Sequence, residues 1–175
     1  LSNDGIIVIE APYLITLLDN LEYDTIYHEH LSYISLKPLK EFCKKIDMDI
    51  FDAELNNIHG GSLRFFIGRK GIRDISKNIE TLLKLEEEKR IYKKERLEKF
   101  SNDVKEQKKE LNMLLWKLKS EGKKIVGISA PAKGNALTNY CKIGTDLLDY
   151  ITEKSPLKIG KFTPGMHIPI LSDSK

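Results

Sequence analysis

One stretch of the chain, residues 75–120, contains neither proline nor glycine, and it limits the possible folds more than any other feature. Apolar residues recur through a highly charged background at the three- and four-residue spacing of a helix face. We therefore predict one long helix, or two in succession, over this stretch. Its opposite charges three and four positions apart are typical of a solvated face, since each exposed pair contributes only a few tenths of a kcal/mol.

The segments before this stretch predict a strand, a helix and a pair of strands. Residues 5–10 form an apolar run after a turn, and residues 35–46 carry apolar side chains at helical spacing. Residues 48–55 and 62–68 are rich in β-forming side chains, and the second segment alternates apolar with other residues. We expect these two strands to pair antiparallel through the His59-Gly60-Gly61 loop.

The segments after the stretch predict a strand, a loop, a helix and a second strand. Residues 124–128 are apolar, residues 129–135 contain the turn-forming residues, and residues 136–141 fit a helix. Residues 147–151 are the next apolar strand. The order predicts an α/β protein with a Rossmann-like parallel sheet in its carboxyl-terminal part, and ligands of such sheets bind at the carboxyl edge of the strands.

The loop of this unit has features of an anion site. Backbone N–H groups at the start of a helix point toward the preceding loop, where Lys133 would add a positive charge and Asn135 a polar group. The glycine spacings of a Walker loop and of a dinucleotide fingerprint are both missing. The spacing alone therefore leaves an anion site and an ordinary turn as open alternatives.

Residues 27–30 place two imidazoles, a carboxylate and a phenol in four positions, as Tyr-His-Glu-His. Histidine titrates nearest to neutral pH, and a neighbouring carboxylate can orient its ring and raise its basicity. His30 beside Glu29 is therefore the first candidate for a general base. The structural alternative is a pair of surface histidines.

Charge and cysteine content exclude several classes of function. The net charge of +3 arises from 29 basic and 26 acidic residues, a mixture that does not favour nucleic-acid binding. Cys43 and Cys141 are far apart, so the sequence supports neither a zinc site nor a disulfide framework, and a cytoplasmic setting fits best. No apolar run approaches the roughly 20 residues that span a bilayer, so we expect no membrane association.

Several motifs follow one another in an order that resembles one family. They are Tyr27–Tyr33, Ile58–Arg64, Ala130–Asn135, Asn139–Cys141, Ser155-Pro156 and Pro164–Ile170. Together they resemble the sugar C-methyltransferases, whose members use S-adenosylmethionine to methylate a nucleotide-linked deoxysugar on a carbon next to a ketone. The resemblance extends over essentially the whole chain and departs from the family at Ser129, where a glycine is expected.

The resemblance implies that the chain is a fragment of a longer protein. Residues 1–30 would be the tail of the methyl-donor domain together with the catalytic segment. Residues 31–175 would be the carboxyl-terminal, nucleotide-sugar-binding α/β domain, truncated at its end. The S-adenosylmethionine site would lie mainly in the missing amino-terminal part, which in the family also contains a zinc module.

The same resemblance implies roles for individual residues. A base removes the proton next to the ketone, and the resulting enolate takes the methyl group; Tyr27, Glu29 and His30 would form this catalytic group, with His28 facing elsewhere. Substrate contacts would come from His59, Ser62, Arg64, Lys133, Asn135, Ser155, Lys158 and His167. The ligand would be a nucleotide-diphosphate sugar, with thymidine as the favoured nucleoside.

For several of these residues a structural role is an equal alternative. Gly60-Gly61 could serve a tight turn that needs positive φ, Arg64 could be the polar face of its strand, and His167 could be a core residue. Three functional alternatives also stay open: a nucleotide-sugar-binding module without catalysis, another nucleotide-dependent enzyme such as an oxidoreductase, and a helix-mediated interaction protein. The sequence leaves the oligomeric state open.

Overall fold

The computed structural model describes residues 1–56 and 60–174, and the chain divides into two compact units. The first unit comprises residues 1–22 and 32–101. The second comprises residues 23–31 together with the part of the chain from Asn102 onward. Across the described residues, no helix combines the length and the apolar character that crossing a membrane requires.

The first unit is built on a three-stranded antiparallel sheet with the strand order β1-β3-β2. Its elements are β1 Ile6–Pro12, α1 Leu14–Asp19, α2 Leu36–Lys45, β2 Met48–Asn56, β3 Ser62–Arg69 and α3 Lys77–Glu88. The central strand β3 buries Leu63, Phe65 and Ile67, as its alternating pattern predicts. The three predicted strands, the antiparallel pairing of β2 with β3 and the helix predicted over residues 35–46, which is α2, are confirmed, whereas α1 was not predicted.

The amino terminus of α2 is capped by the buried carboxylate of a distant residue and not by the side chain of Ser35, the residue before the helix. Glu86, on α3, is 1% exposed and accepts hydrogen bonds from the backbone N–H groups of Leu36 (2.5 Å) and Lys37 (3.0 Å). The hydroxyls of Tyr13 (3.1 Å) and Tyr92 (2.5 Å) donate to the same carboxylate. Burial, followed by the neighbouring Glu86, raises the pKa of both phenols. These contacts tie α2 and α3 together.

The two glycines before β3 have the positive φ that a tight turn requires, and such a turn was the structural alternative to a ligand role for them. Gly60 has φ +89° and Gly61 has φ +137°. A Cβ on Gly61 would lie 2.5 Å from the Thr16 side chain, and the Gly61 carbonyl accepts a hydrogen bond from the Thr16 hydroxyl at 3.0 Å. Close packing against α1 therefore accounts for Gly61. The predicted substrate residue His59 lies outside the described residues.

The stretch without proline or glycine forms two helices in succession. Helix α3 ends at Glu88, and helix α4 spans Lys94–Ser120 over 27 residues. Between them Arg90 adopts a left-handed conformation with φ +54°, which an α-helix cannot continue through. Of the two predicted arrangements, one long helix or two in succession, the structure shows two helices in succession.

The second unit contains a three-stranded parallel sheet with the order β4-β5-β6. Its elements are a 3-10 turn at Tyr23–Thr25, β4 Val126–Ile128, α5 Ala132–Cys141, β5 Tyr150–Glu153 and β6 Ile170–Ser172. Gly127 faces Ile151 across the sheet, and a Cβ there would lie 2.8 Å from the Ile151 side chain. The mixed α/β class and the parallel sheet are confirmed, while the Rossmann-like assignment stays a prediction.

Two predicted boundaries in this unit are wrong. Helix α5 begins at Ala132 rather than at residue 136, because Pro131 provides an extended residue before the helix and Gly134 is accommodated within its first turn. Strand β5 begins at Tyr150 rather than at residue 147. The N–H groups of Leu147 and Leu148 both bond to the Gly144 carbonyl, at 3.1 and 2.8 Å, so these apolar residues form a turn.

Candidate functional site

The segment that carries Tyr-His-Glu-His is anchored against helix α5. Tyr23 is buried, and its hydroxyl lies 3.6 Å from the sulfur of Cys141 at the end of the helix. The ring of Tyr23 also lies 5.4 Å from that of Tyr140, centroid to centroid. Burial, followed by the hydrogen bond with Cys141, raises the pKa of the Tyr23 phenol. The anchor fixes where the next residues of the segment can lie.

Within this segment Tyr27 and His30 form a contact pair. The Tyr27 hydroxyl and the Nε2 atom of His30 share a hydrogen bond of 3.2 Å, and the rings meet edge to face at 4.9 Å and 89°. The backbone N–H of His30 donates to the Tyr27 carbonyl at 3.0 Å, which closes the turn. Glu29 is exposed, and the partner that the structure gives the His30 ring is Tyr27.

A cavity of about 590 Å³ opens beside the carboxyl end of β4 and the amino end of α5. Most of its wall is apolar, as in small-molecule sites with a few polar groups. It is lined by His28, Gly127–Ala132, Gly134, Asn135, Leu137, Thr138, Leu148, Ile151, Lys158, Lys161–Pro164 and Ile170. All of these residues belong to the second unit. The cavity therefore lies where ligands of parallel sheets bind.

The cavity brings together only some of the predicted site residues. Asn135 and Lys158 line it, and so does His28, which the sequence analysis had placed elsewhere. The remaining predicted residues of the second unit are not part of its wall: Tyr27, Glu29, His30, Lys133, Ser155 and His167. His167 is exposed in a tight turn with φ +53°, so it is not a core residue.

Of the predicted substrate residues of the first unit that the structure describes, Arg64 is engaged by internal partners and Ser62 is buried. The Arg64 guanidinium pairs with Glu10 on β1 at 2.7 Å and with Glu54 on β2 at 2.6 Å. Ser62 is 2% exposed at the start of β3. Arg64 thus joins three strands on the polar face of the sheet, which was the structural alternative for this residue.

The start of α5 supplies backbone donors to the cavity. The first helical hydrogen bond runs from the Asn135 N–H to the Pro131 carbonyl at 3.1 Å, so the three N–H groups before it have no acceptor in the helix. Pro131 provides no side-chain cap. Because the helix begins at Ala132, Lys133 and Asn135 lie in its first turns and not in a loop. The positive end of the helix favours a negatively charged group here.

A residue that the sequence analysis left without a role, Glu153, organises the loops around the cavity. Its carboxylate accepts hydrogen bonds from the N–H groups of Ala130 (3.0 Å), Lys154 (2.8 Å) and Ser155 (3.2 Å). The Lys158 ammonium lies 3.4 Å from the same carboxylate. These backbone donors, with Lys158 as a smaller contribution, lower the pKa of Glu153 to about 2. Its position as the last residue of an apolar strand is the sequence signal that could have indicated it.

The Glu153 contacts predict a specific dependence of stability on pH. A carboxyl whose pKa is lowered on folding stabilises the fold above its unfolded pKa of about 4.5, and this contribution is lost as the pH falls toward about 2. We expect Glu153→Gln to be less stable than the unchanged chain at pH 7, with a difference that shrinks between pH 4.5 and 2. Urea unfolding followed by the fluorescence of Trp116, the single tryptophan, measures this difference in the second unit.

The matched control is Glu121→Gln, at an exposed position after α4. Its difference from the unchanged chain should be small at every pH. A Glu153→Gln difference that stays constant from pH 7 to pH 2 would show that the charge of Glu153 does not stabilise these loops.

Ser129 occupies a strained position at the loop after β4. Its φ of +67° lies in the left-handed region, where glycine is favoured and a Cβ costs roughly 1 kcal/mol. Its N–H donates to the Thr152 carbonyl on β5 at 2.7 Å, which fixes the backbone in place. The family resemblance leads one to expect glycine here, and the observed conformation supplies the physical reason.

Comparison with known proteins agrees with this arrangement of motifs. Residues 57–175 match the family model described as the C-methyltransferase C-terminal domain. The chain belongs to this family. It is also similar to the C-methyltransferase NovU of Streptomyces niveus, with 31% identity over 173 residues. That alignment covers 98% of this chain and 41% of NovU, so the chain spans about two fifths of the length of this relative. The resemblance to C-methyltransferases predicted from the motifs is thus confirmed.

Proposed function

We propose that this chain is the substrate-side part of an S-adenosylmethionine-dependent C-methyltransferase that acts on a nucleotide-linked keto-deoxysugar. The observation that carries the proposal is the cavity at the carboxyl edge of the parallel sheet, whose wall includes His28 of the Tyr-His-Glu-His segment. A volume of about 590 Å³ lies within the usual range for small-molecule sites. Family membership supplies the methyl transfer.

The chemistry assigned to this chain is proton removal next to a ketone. His30 takes the proton, and Tyr27, hydrogen-bonded to it at 3.2 Å, donates to the oxygen on which negative charge develops. Such a donor accelerates the reaction because its bond strengthens only as the charge appears. Glu29, the residue before His30, is the proposed third member of this catalytic group.

The nucleotide part of the substrate is assigned to the cavity. A phosphate accepts hydrogen bonds from the N–H groups at the start of α5 that have no acceptor within the helix, and the Asn135 side chain lies in the same cavity wall. The sequence-based assignment adds Lys133, Ser155, Lys158 and His167 for the nucleotide. For the sugar it gives Ser62, Arg64 and His59, which belong to the first unit. Thymidine is the favoured nucleoside, on the strength of the family resemblance.

The methyl donor is assigned mainly to residues outside this chain. A nucleoside cofactor in the β4-α5-β5 unit needs an acidic side chain for its ribose hydroxyls, and the acid at the end of β5 is Glu153. The Glu153 carboxylate is already engaged by three backbone N–H groups and by Lys158. This unit therefore does not fit S-adenosylmethionine or a dinucleotide, which also argues against the oxidoreductase alternative.

Residues 1–30 are proposed to complete the methyl-donor domain of the longer protein, with any zinc in a separate amino-terminal module. Strand β1 pairs with β3 along one edge, and it exposes Ile6 (46%), Ile7 (41%) and Val8 (49%). Apolar residues on a strand are ordinarily covered, so they suit contact with further strands and helices of that domain. The isolated chain would then bind the nucleotide sugar without methylating it.

Calorimetric titration tests the nucleotide site directly. We expect thymidine diphosphate to bind the chain, uridine diphosphate to bind more weakly, and NAD and S-adenosylmethionine not to bind. Asn135→Asp puts a negative charge next to the proposed phosphate and should abolish binding. Asn102→Asp, an exposed position on α4 in the same unit, is the matched control and should bind normally. Equal binding by both variants, or no binding of any nucleotide by the unchanged chain, contradicts the site.

A further inference from the structure

The segment of residues 160–170, which contributes Lys161–Pro164 and Ile170 to the cavity wall, is held by backbone hydrogen bonds. Ile170 donates its N–H to the Lys161 carbonyl at 2.9 Å and accepts from the Gly160 N–H at 2.9 Å. The Thr163 N–H donates to the Ile168 carbonyl at 3.0 Å, and the buried Thr163 hydroxyl accepts from the Ile168 N–H at 3.0 Å. The side chains of this segment are therefore presented to the cavity from a preorganised position.

Phe162 contributes a phenyl ring to the cavity wall. It lies on the fixed segment opposite Pro169, to which it is joined by an isolated β-bridge. Its side chain is 61% exposed. A large ring left this open on one wall of a mostly apolar cavity offers a flat surface on which a planar group can stack.

The cations of the cavity wall differ in how far they are engaged. Lys158 donates to the Ala130 carbonyl at 2.8 Å and lies 3.4 Å from Glu153. The Ala130 N–H is bonded to Glu153 as well, so this part of the loop already has its own anion. Lys161 is exposed in the cavity wall, and its ammonium makes no ion pair with any side chain in residues 1–56 and 60–174. Its charge is thus available to a ligand.

We propose that Lys161 and Phe162 form the recognition pair for the nucleotide: Phe162 stacks on the base, and Lys161 neutralises a phosphate. The inference rests on the proposed function, because it assumes that the cavity holds a nucleotide. An aromatic ring can stack on any nucleic-acid base, and the stacking is strong enough to hold the base in place. The lysine ammonium is a compact positive charge on a flexible side chain, which suits a phosphate. The Glu153–Lys158 pair then shapes the loop, and Lys161 supplies the charge that faces the phosphate.

The proposal assigns the base to Phe162 and the phosphate to Lys161, so it is tested with three probes: thymidine diphosphate, thymidine and inorganic diphosphate. Phe162→Leu keeps an apolar side chain and removes the ring, and we expect it to weaken both thymidine diphosphate and thymidine about tenfold. Lys161→Gln should weaken thymidine diphosphate and inorganic diphosphate about fivefold and leave thymidine unchanged. Calorimetric titration at one fixed salt concentration gives each dissociation constant.

Lys123→Gln is the matched control, because it removes one positive charge at an exposed position after α4 and outside the cavity wall. It should bind all three probes as the unchanged chain does. Thymidine diphosphate binding that is unaffected by Phe162→Leu and Lys161→Gln overturns the inference and leaves the proposed function in place. An unchanged chain that binds neither thymidine diphosphate nor thymidine overturns the nucleotide site and the inference together.

Discussion

Replacement of Glu86 by alanine is expected to lower the free energy of unfolding of the first unit by roughly 3–5 kcal/mol. The carboxylate is 1% exposed and accepts four hydrogen bonds, two from the start of α2 and two from the hydroxyls of Tyr13 and Tyr92. Its removal leaves two buried donors, the Tyr13 hydroxyl and the Leu36 N–H, and two partly buried ones without an acceptor, and it opens a void at the junction of α2 and α3. A buried donor that loses its partner bears the full cost of its desolvation.

Urea unfolding followed by circular dichroism at neutral pH measures this effect. Glu87→Ala is the matched control, since the neighbouring glutamate on α3 is exposed, and it should change stability by no more than about 0.5 kcal/mol. Glu86→Gln keeps the shape and part of the acceptor capacity, so its loss should be intermediate. A Glu86→Ala variant that is as stable as the Glu87→Ala variant would show that the buried carboxylate does not hold the two helices together.

Replacement of His30 by alanine is expected to slow proton removal by the longer protein by roughly 10²- to 10⁴-fold. His30 is the proposed base, and its Nε2 atom lies 3.2 Å from the Tyr27 hydroxyl. The informative measurement is exchange of the substrate hydrogen next to the ketone with deuterated solvent, followed by magnetic resonance. This readout reports proton removal alone, whereas methyl transfer also depends on the methyl donor.

A double-mutant comparison tests whether the Tyr27–His30 contact matters for the chemistry. Tyr27→Phe removes the hydroxyl and should slow exchange, and its effect should shrink when His30 is already alanine. His28→Ala, which changes the cavity wall, should raise the substrate KM more than it lowers kcat. Exchange that proceeds at the normal rate in His30→Ala would exclude His30 as the base and point to another residue.

Local pattern was sufficient for most of the elements. The alternation of Leu63, Phe65 and Ile67 predicted β3 and its buried face, because the side-chain period of a strand is two. The stretch over residues 75–120 predicted helix, although it could not decide between one helix and two, because Arg90 resembles its charged neighbours and differs only in its observed φ of +54°. The start of α5 was wrong because Pro131 and Gly134 suggest a loop when they are read in isolation.

The candidate site was predictable in its motifs and less so in its geometry. The Tyr-His-Glu-His segment and the loop after β4 were found as sequence patterns, and both lie beside the cavity, through His28 and residues 129–132. The engagement of Glu153, Lys158 and Arg64 with internal partners was not predictable. A charged side chain looks the same in sequence whether its partner is a ligand or another part of the fold.

The sequence by itself determined the α/β class, the order of most of the elements and the family, because these depend on hydrophobic periodicity and on motifs that occur within a few residues of one another. Only the tertiary structure decided which polar groups are satisfied internally. Glu86 caps a helix that begins 50 positions earlier in the chain, and Glu153 binds an N–H group 23 positions away. Such contacts form because the packed core brings together groups that are far apart in the chain. The residues next to each group in the sequence do not indicate which distant group will become its partner.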